Sequence, residues 1–274
     1  MNLSQSLPSA SLTDPGRVRD HNEDCIESRP EIGLFVLADG MGGYSAGEVA
    51  SGMATSLISD GLEAAWSPKD VARAGREDAK NLAQKLIVEQ VARANSAIFT
   101  TSQNNPECAG MGTTLVVCLF FDDFLAVAHI GDSRLYRLRG DVMEQVTRDH
   151  SLLQEQLDSG LITPEEAKLS QNKNLVTRAL GIDPSVETEI HVHETRPDDI
   201  YLLCSDGLSD MVDDEEIRLT LITLKQNPSL TVQQLVQAAN DNGGRDNISA
   251  MLIRVAEPFS VPRGWLARLK AFFQ

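Results

Sequence analysis

The feature that most restricts this chain is a repeated one: apolar runs, each long enough for one strand, that meet an aspartate beside a glycine. Residues 32–38 (IGLFVLA) lead into Asp39-Gly40, and residues 200–204 (IYLLC) into Ser205-Asp206-Gly207. Residues 124–130 (FLAVAHI) lead into Gly131-Asp132-Ser133-Arg134. Near the C-terminal end the order reverses, and Gly243-Gly244-Arg245-Asp246-Asn247 feeds the run ISAMLIRV. A short apolar run bounded by turn residues reads as a buried strand, so each aspartate stands where a buried strand surfaces. An unpaired charge there is heavily penalised. No Lys or Arg lies within eight residues downstream of Asp39, which leaves a distant arginine or a metal ion as its partner. Strand ends gather at sheet edges, where a rigid scaffold can hold a shared site. Carboxylates converging on one edge without basic neighbours suit a hard divalent cation that takes oxygen ligands and keeps waters. For Asp132 an ion pair with Arg134 is the alternative.

The stretch 33–51 is the centre of this pattern. Past Asp39 comes a glycine-rich turn, and then Glu48, Val49, Met53 and Leu57 space like one face of a helix. The glycines do not make a nucleotide site. Gly42 and Gly47 have the separation of a phosphate loop, but Glu48-Val49 stand where Lys and Ser/Thr must be. The dinucleotide fingerprint fails because Gly40-Met41-Gly42 is followed by Gly43-Tyr44-Ser45, with no final glycine.

Elsewhere the pattern is of one layered domain. Residues 71–99 carry Leu82, Leu86, Val91, Ala94 and Ile98 near helical spacing, and Asn104-Asn105-Pro106 ends that helix. Residues 114–121 and 124–130 are apolar runs joined by two aspartates, a hairpin signature. Residues 134–138 and 142–146 form further short strands about Gly140-Asp141. Helices are expected over 151–157, from Thr163-Pro164-Glu165-Glu166 (a capping box), over 213–224, and over 232–239 opened by Thr231. Antiparallel groups of strands with helices between them point to an α/β layered protein rather than a doubly wound parallel sheet. Residues 17–24, a dense polar cluster, read as a solvated loop.

Composition narrows the function. A formal net charge of −16 argues against nucleic-acid binding, which basic patches drive. With 42% hydrophobic residues the chain can bury a substantial core, and no linker divides it. The four cysteines, Cys25, Cys108, Cys118 and Cys204, show no CxxC pairing and read as small core residues in a reducing compartment. No Cys precedes a basic anion-binding loop, so thiol-based phosphate chemistry is disfavoured. Residues 1–13 lack the apolar segment of a signal peptide, and no run approaches the ~20 residues of a membrane span. The expectation is a cytoplasmic monomer.

Taken in order, Arg19-Asp20-His21-Asn22-Glu23-Asp24, Ala38-Asp39-Gly40-Met41-Gly42-Gly43, Met111-Gly112-Thr113-Thr114, Gly131-Asp132-Ser133-Arg134, Ser205-Asp206-Gly207-Leu208 and Gly244-Arg245-Asp246-Asn247 resemble the motifs of the metal-dependent serine/threonine protein phosphatases of type 2C, in their compact bacterial form. Any one motif is weak; six in order are specific. The resemblance covers residues 10–256 and implies a four-layer α/β sandwich, two central antiparallel sheets with helices on both outer faces. It divides the chain into a flexible leader (1–10), a phosphatase domain (11–256) with a mobile flap over 150–173, and an amphipathic tail (257–274) fit for docking on a partner or membrane surface.

The same resemblance implies the chemistry. Hydrolysis of phosphoserine and phosphothreonine would run at a binuclear manganese or magnesium centre and oppose a serine/threonine kinase. Asp39 would bridge both metals, the Gly40 carbonyl would ligate one, and Asp206 and Asp246 would complete the first shell. Glu23 and Asp24 would hold the second metal's waters, Arg19 would clamp the substrate phosphate, and Asn247 would brace the metal-binding turn. Asp132 would join Asp206 at a third, weaker metal. One departure stands out. Some members carry His after the first Asp-Gly as general acid; here Met41 fills that place, and Tyr44 is a poor acid at neutral pH. The competing reading is a catalytically inert phosphoprotein-binding relative, which the presence of Asp39, Asp206 and Asp246 disfavours.

Overall fold

The computed structural model describes residues 3–43, 45–67, 71, 73–163, 166–167, 175–261 and 263. Two antiparallel sheets carry the chain. One joins β1 (Ser9–Asp14), β11 (Ile248–Arg254), β10 (Ile200–Cys204), β7 (Arg134–Arg139) and β8 (Val142–Gln145), in that order. The other runs β2 (Asp24–Arg29), β3 (Leu34–Met41), β5 (Leu115–Phe121), β6 (Phe124–Ile130) and β9 (Glu189–Glu194), with short β4 (Gly112–Thr113) on the end of β3.

Layering explains why antiparallel strands here read as unbroken apolar runs. Successive side chains of a strand point to opposite faces, and both faces of these sheets are covered. In β3, Leu34, Val36 and Ala38 meet the long helices α1 (Ala46–Ala65) and α2 (Arg76–Asn104), whereas Phe35 and Leu37 meet the other sheet. In β10, Ile200, Leu202 and Cys204 meet helices α5 (Asp214–Leu224) and α6 (Pro228–Asp241), while Tyr201 and Leu203 fill the space between sheets. Phe120 is the centre of that middle layer, edge-on to Phe35, Tyr201 and Phe259. The expected four-layer sandwich is the observed architecture.

Several expectations change. The leader is not loose over residues 3–10: Leu3 and Leu7 are buried in the middle layer, and Ser9 and Ala10 already pair with Ile253 and Leu252. Part of the polar cluster becomes strand, with Asp24 paired to Asp39. The helix expected from 71 begins at Arg76. The helix expected from 232 begins at Pro228, because the Asn227 side chain accepts the Leu230 N–H and caps it. Thr231 instead turns its hydroxyl back onto Leu224 and Asn227 carbonyls. Around the insert, α3 (Leu152–Asp158) is capped by Ser151, and Thr163 and Glu166 make the expected capping box. The rest of the expected flap, residues 164–165 and 168–174, lies outside the described residues, as do Tyr44 and tail residues 262 and 264–274. The described start of the tail is held in place: Phe259 is buried, and Asp122, on the β5–β6 turn, accepts from Val261 N and Arg263 Nη1 (both within 2.7 Å).

Candidate active site

Strand parity aims the first aspartate. Phe35 and Leu37 face the other sheet, so Asp39, two residues on, turns its carboxylate into the mouth of the gap between the sheets. From the same sheet, β2 presents Asp24 at the register partner of Asp39. The opposite sheet supplies Asp206 just past β10 and Asp246 just before β11. The link that crosses from β6 to β7, and so from one sheet to the other, carries Asp132. The five carboxylates expected from four strand ends and one polar cluster therefore meet at one end of the sandwich.

Backbone and side-chain bonds fix them there. The Asp39 N–H donates to Thr114 Oγ1 (3.0 Å), and its carbonyl accepts from Thr114 N (2.8 Å) and Thr113 Oγ1 (2.9 Å). Thr114 Oγ1 in turn shares a proton with Ser133 Oγ at 2.7 Å, tying the Asp39 strand to the Asp132 turn. Ser205 Oγ donates to Asp24 Oδ2 (2.8 Å). Asn247 accepts the Glu23 N–H at Oδ1 (2.8 Å) and donates from Nδ2 to the carbonyls of His21 (2.8 Å) and Pro15 (3.1 Å). One amide thus shapes the loop that presents Glu23 and Asp24, a geometry that matches the bracing role expected of it. Gly40 and Gly47 touch backbone to backbone. A Cβ on Gly47 would lie 2.7 Å from the Glu23 carboxyl, so the first turn of α1 can approach only without a side chain.

Electrostatically the cluster is under tension. Burial, followed by Asp24, Asp206, Asp132 and Asp246, drives the Asp39 carboxyl well above the ordinary range. Burial, then Asp132, Asp246, Asp210 and Asp24, does the same to Asp206. Asp24 and Asp132 are each pushed up to about 6, chiefly by burial. Glu23 Oε1 and Asp24 Oδ1 are buried and meet no hydrogen-bond donor among the described residues. Hard oxygen ligands in this number, two of them without a protein donor, fit divalent cations, which reverse such repulsion by holding every carboxylate ionised.

Arg19 lies at the rim, half exposed, with Nη2 2.7 Å from Asp246 Oδ2. Arg134 does not pair with Asp132. Its guanidinium grips both oxygens of Asp149 (2.7–3.1 Å) and donates to Tyr136 Oη (2.9 Å). Four residues were given no role from sequence: Asp210, whose charge acts on both Asp132 and Asp206, and Thr114, Ser133 and Ser205, which orient the ligands. Asp210 was within reach, being one helical turn beyond Asp206 and on the same face. Beside Met41 a groove of about 410 Å³ runs along Val176, Thr177, Arg178, Ile182 and Val186.

Comparison with known proteins agrees with this geometry. Residues 18–252 match the family described as Protein phosphatase 2C. The chain is 39% identical over 244 residues to the serine/threonine phosphatase stp of Listeria innocua, covering 88% of this chain and 93% of that one. The crystal structure of the serine/threonine phosphatase PstP/Ppp of Mycobacterium tuberculosis superposes with a TM-score of 0.81 at 36% identity, covering 92% of this chain and 99% of that one. A PstP catalytic domain in complex with two manganese ions superposes at 0.78, with 37% identity and coverage of 92% and 99%.

Proposed function

The chain belongs to the protein phosphatase 2C family and is a serine/threonine protein phosphatase, and on that premise we propose how its own residues carry out the hydrolysis. Asp39, the Gly40 carbonyl, Asp206 and Asp246 hold a first divalent cation, manganese or magnesium. Asp39 also holds a second, with Glu23 and Asp24 engaging it through water. The observation that carries this reading is the pair of buried carboxylate oxygens, Glu23 Oε1 and Asp24 Oδ1, that face no protein donor within a ring of like charges. Two such ions, when bound, acidify water and neutralise phosphoryl charge.

The remaining work falls to the protein. Thr113, Thr114 and Asn247 fix the ligands on rigid strand ends, so little reorganisation is needed during reaction. Arg19, free to swing at the rim, presents its guanidinium fork to the substrate's phosphoryl oxygens. Met41 cannot donate a proton, so the leaving serine or threonine oxygen takes one from water ordered by Asp132, where a third, weakly held cation would also sit beside Asp206. Residues 150–173 act as a flap over the groove next to Met41. The substrates are phosphoproteins of a cognate serine/threonine kinase. The four cysteines are all free, in keeping with a cytoplasmic, monomeric enzyme, and residues beyond 263 serve as a docking tail.

The test is phosphate release from a phosphothreonine peptide with and without Mn²⁺, using wild-type protein and Asp39→Asn. Release that needs Mn²⁺ and is lost in Asp39→Asn is expected. A folded wild-type protein that binds the peptide without turnover would instead identify an inert phosphoprotein-binding module.

A further inference from the structure

The Asp132 turn is gripped from behind by a residue with no part in the scheme above. His150 N–H donates to the Gly131 carbonyl (2.9 Å), and His150 Nδ1 accepts the Gly131 N–H (3.1 Å). One residue thus occupies both backbone polar groups of Gly131. That glycine has φ +99°, and a Cβ there would lie 2.7 Å from Thr114, so the turn has little freedom to find another shape. Accepting at Nδ1 leaves the ring proton of the neutral imidazole on Nε2, which lies 3.3 Å from Glu189 Oε2 on β9. His129 stacks on the ring, centroids 4.7 Å apart and planes 12° from parallel. His129, His150 and Glu189 lie close enough together to suggest a metal site. Near-parallel rings, however, send their nitrogen lone pairs along parallel lines rather than to one point, and His150 Nδ1 is already engaged. The group is a hydrogen-bonded brace.

His150 also stands where the inserted segment leaves and rejoins the sandwich. Its carbonyl accepts the Thr177 N–H (2.8 Å), Ser151 bridges to Val176, and Leu152 N–H donates to Leu175 O (2.9 Å). Both ends of the insert therefore meet on the residue that holds Gly131. A buried imidazole (8% exposed) is an expensive way to hold one glycine. A purely apolar side chain would fill the space but could not fix the neighbouring carboxylate's direction.

We propose that His150 is a positioning residue: through Nδ1 it sets the Gly131–Asp132 turn from the base of the insert and keeps Asp132 in register with Asp206. The inference rests on the role assigned to Asp132 above. Two variants separate the acceptor from the ring. His150→Phe keeps ring volume and the stack on His129 but has no acceptor, whereas His150→Asn returns an acceptor, Oδ1, at the position of Nδ1. In metal-free His150→Phe, amide hydrogen exchange at Gly131 should speed up by about tenfold, on the scale of one lost hydrogen bond. Turnover of a phosphothreonine peptide should fall by a similar factor, with KM within twofold. His150→Asn should return both readings to within about threefold of wild type. The inference is overturned if His150→Phe keeps Gly131 protected and turnover intact, or if the Phe and Asn variants lose equally. Should His150→Phe not fold, the Asn variant decides alone: protection and turnover near wild type support the brace, and loss of either refutes it. Asp132→Ala, run alongside, tests the reading beneath. Full turnover in that variant with a deprotected Gly131 in His150→Phe would mean that the brace exists but that Asp132 has no catalytic part.

Discussion

At the scale of single residues, Arg19 has two claims on one guanidinium. It lies against Asp246 at 2.7 Å, yet half its side chain is exposed at the cleft rim. A cation on Asp246 would compete for that carboxylate and release the fork for substrate. If phosphate binding is its role, Arg19→Ala removes a charge-assisted contact of about 1.5–3 kcal/mol, or roughly ten- to a hundredfold in kcat/KM. Steady-state kinetics on a phosphopeptide check this, with the larger part of the loss expected in KM; kcat and KM both within twofold of wild type would leave Arg19 a loop residue. The ligands themselves were legible in sequence because aspartate at the end of an apolar run is costly without a reason. Thr114, Ser133 and Ser205 were not, since small hydroxyl residues are common in turns and only the folded distances reveal their bonds to Asp39 and Asp24.

At the scale of elements, the long apolar strands and the helix after Asp39 could be read directly, because burial on both faces leaves an unbroken run. The edge strands could not. β1 and β9 are half-covered, and the polar residues of SASLTD and EIHVHE hide any alternation. The start of α6 was misplaced for a related reason: two capping signals, Asn227 before Pro228 and Thr231 before Gln234, lie four residues apart, and helix packing on β1 and β11 selects the earlier. The contact of α1 with β3 gives a sharp prediction. In an ordinary helix interior, Gly→Ala gains about 0.5–1 kcal/mol. At Gly47 the new Cβ would instead press on the Glu23 carboxyl and the Gly40 backbone. Gly47→Ala should therefore cost most of the phosphatase activity while the protein still folds, and activity near wild type by phosphopeptide assay would show that the helix start has slack.

At the scale of the whole molecule, two sheets act as jaws that each bring part of a carboxylate ring, so stability and function are linked through charge. Among the bases, burial holds His129 below its ordinary pKa. The unfolded chain then takes up a proton that the folded one refuses, so this residue's contribution is present above the unfolded value of about 6.5 and is lost as pH falls below it. Urea unfolding of chelator-treated protein should show a steeper loss of stability between pH 7 and pH 5.5 in wild type than in His129→Gln; identical slopes would contradict the assignment. Among the acids, the ring is held apart from its ordinary ionisation by mutual repulsion and burial, a cost that bound cations remove. Calorimetric titration of Mn²⁺ into the metal-free protein, into Asp39→Asn and into Asp206→Asn tests that account most directly. Tight binding to the wild-type protein, lost or weakened by at least tenfold in both folded variants, is the predicted result, and unchanged Mn²⁺ binding in the two variants would contradict it.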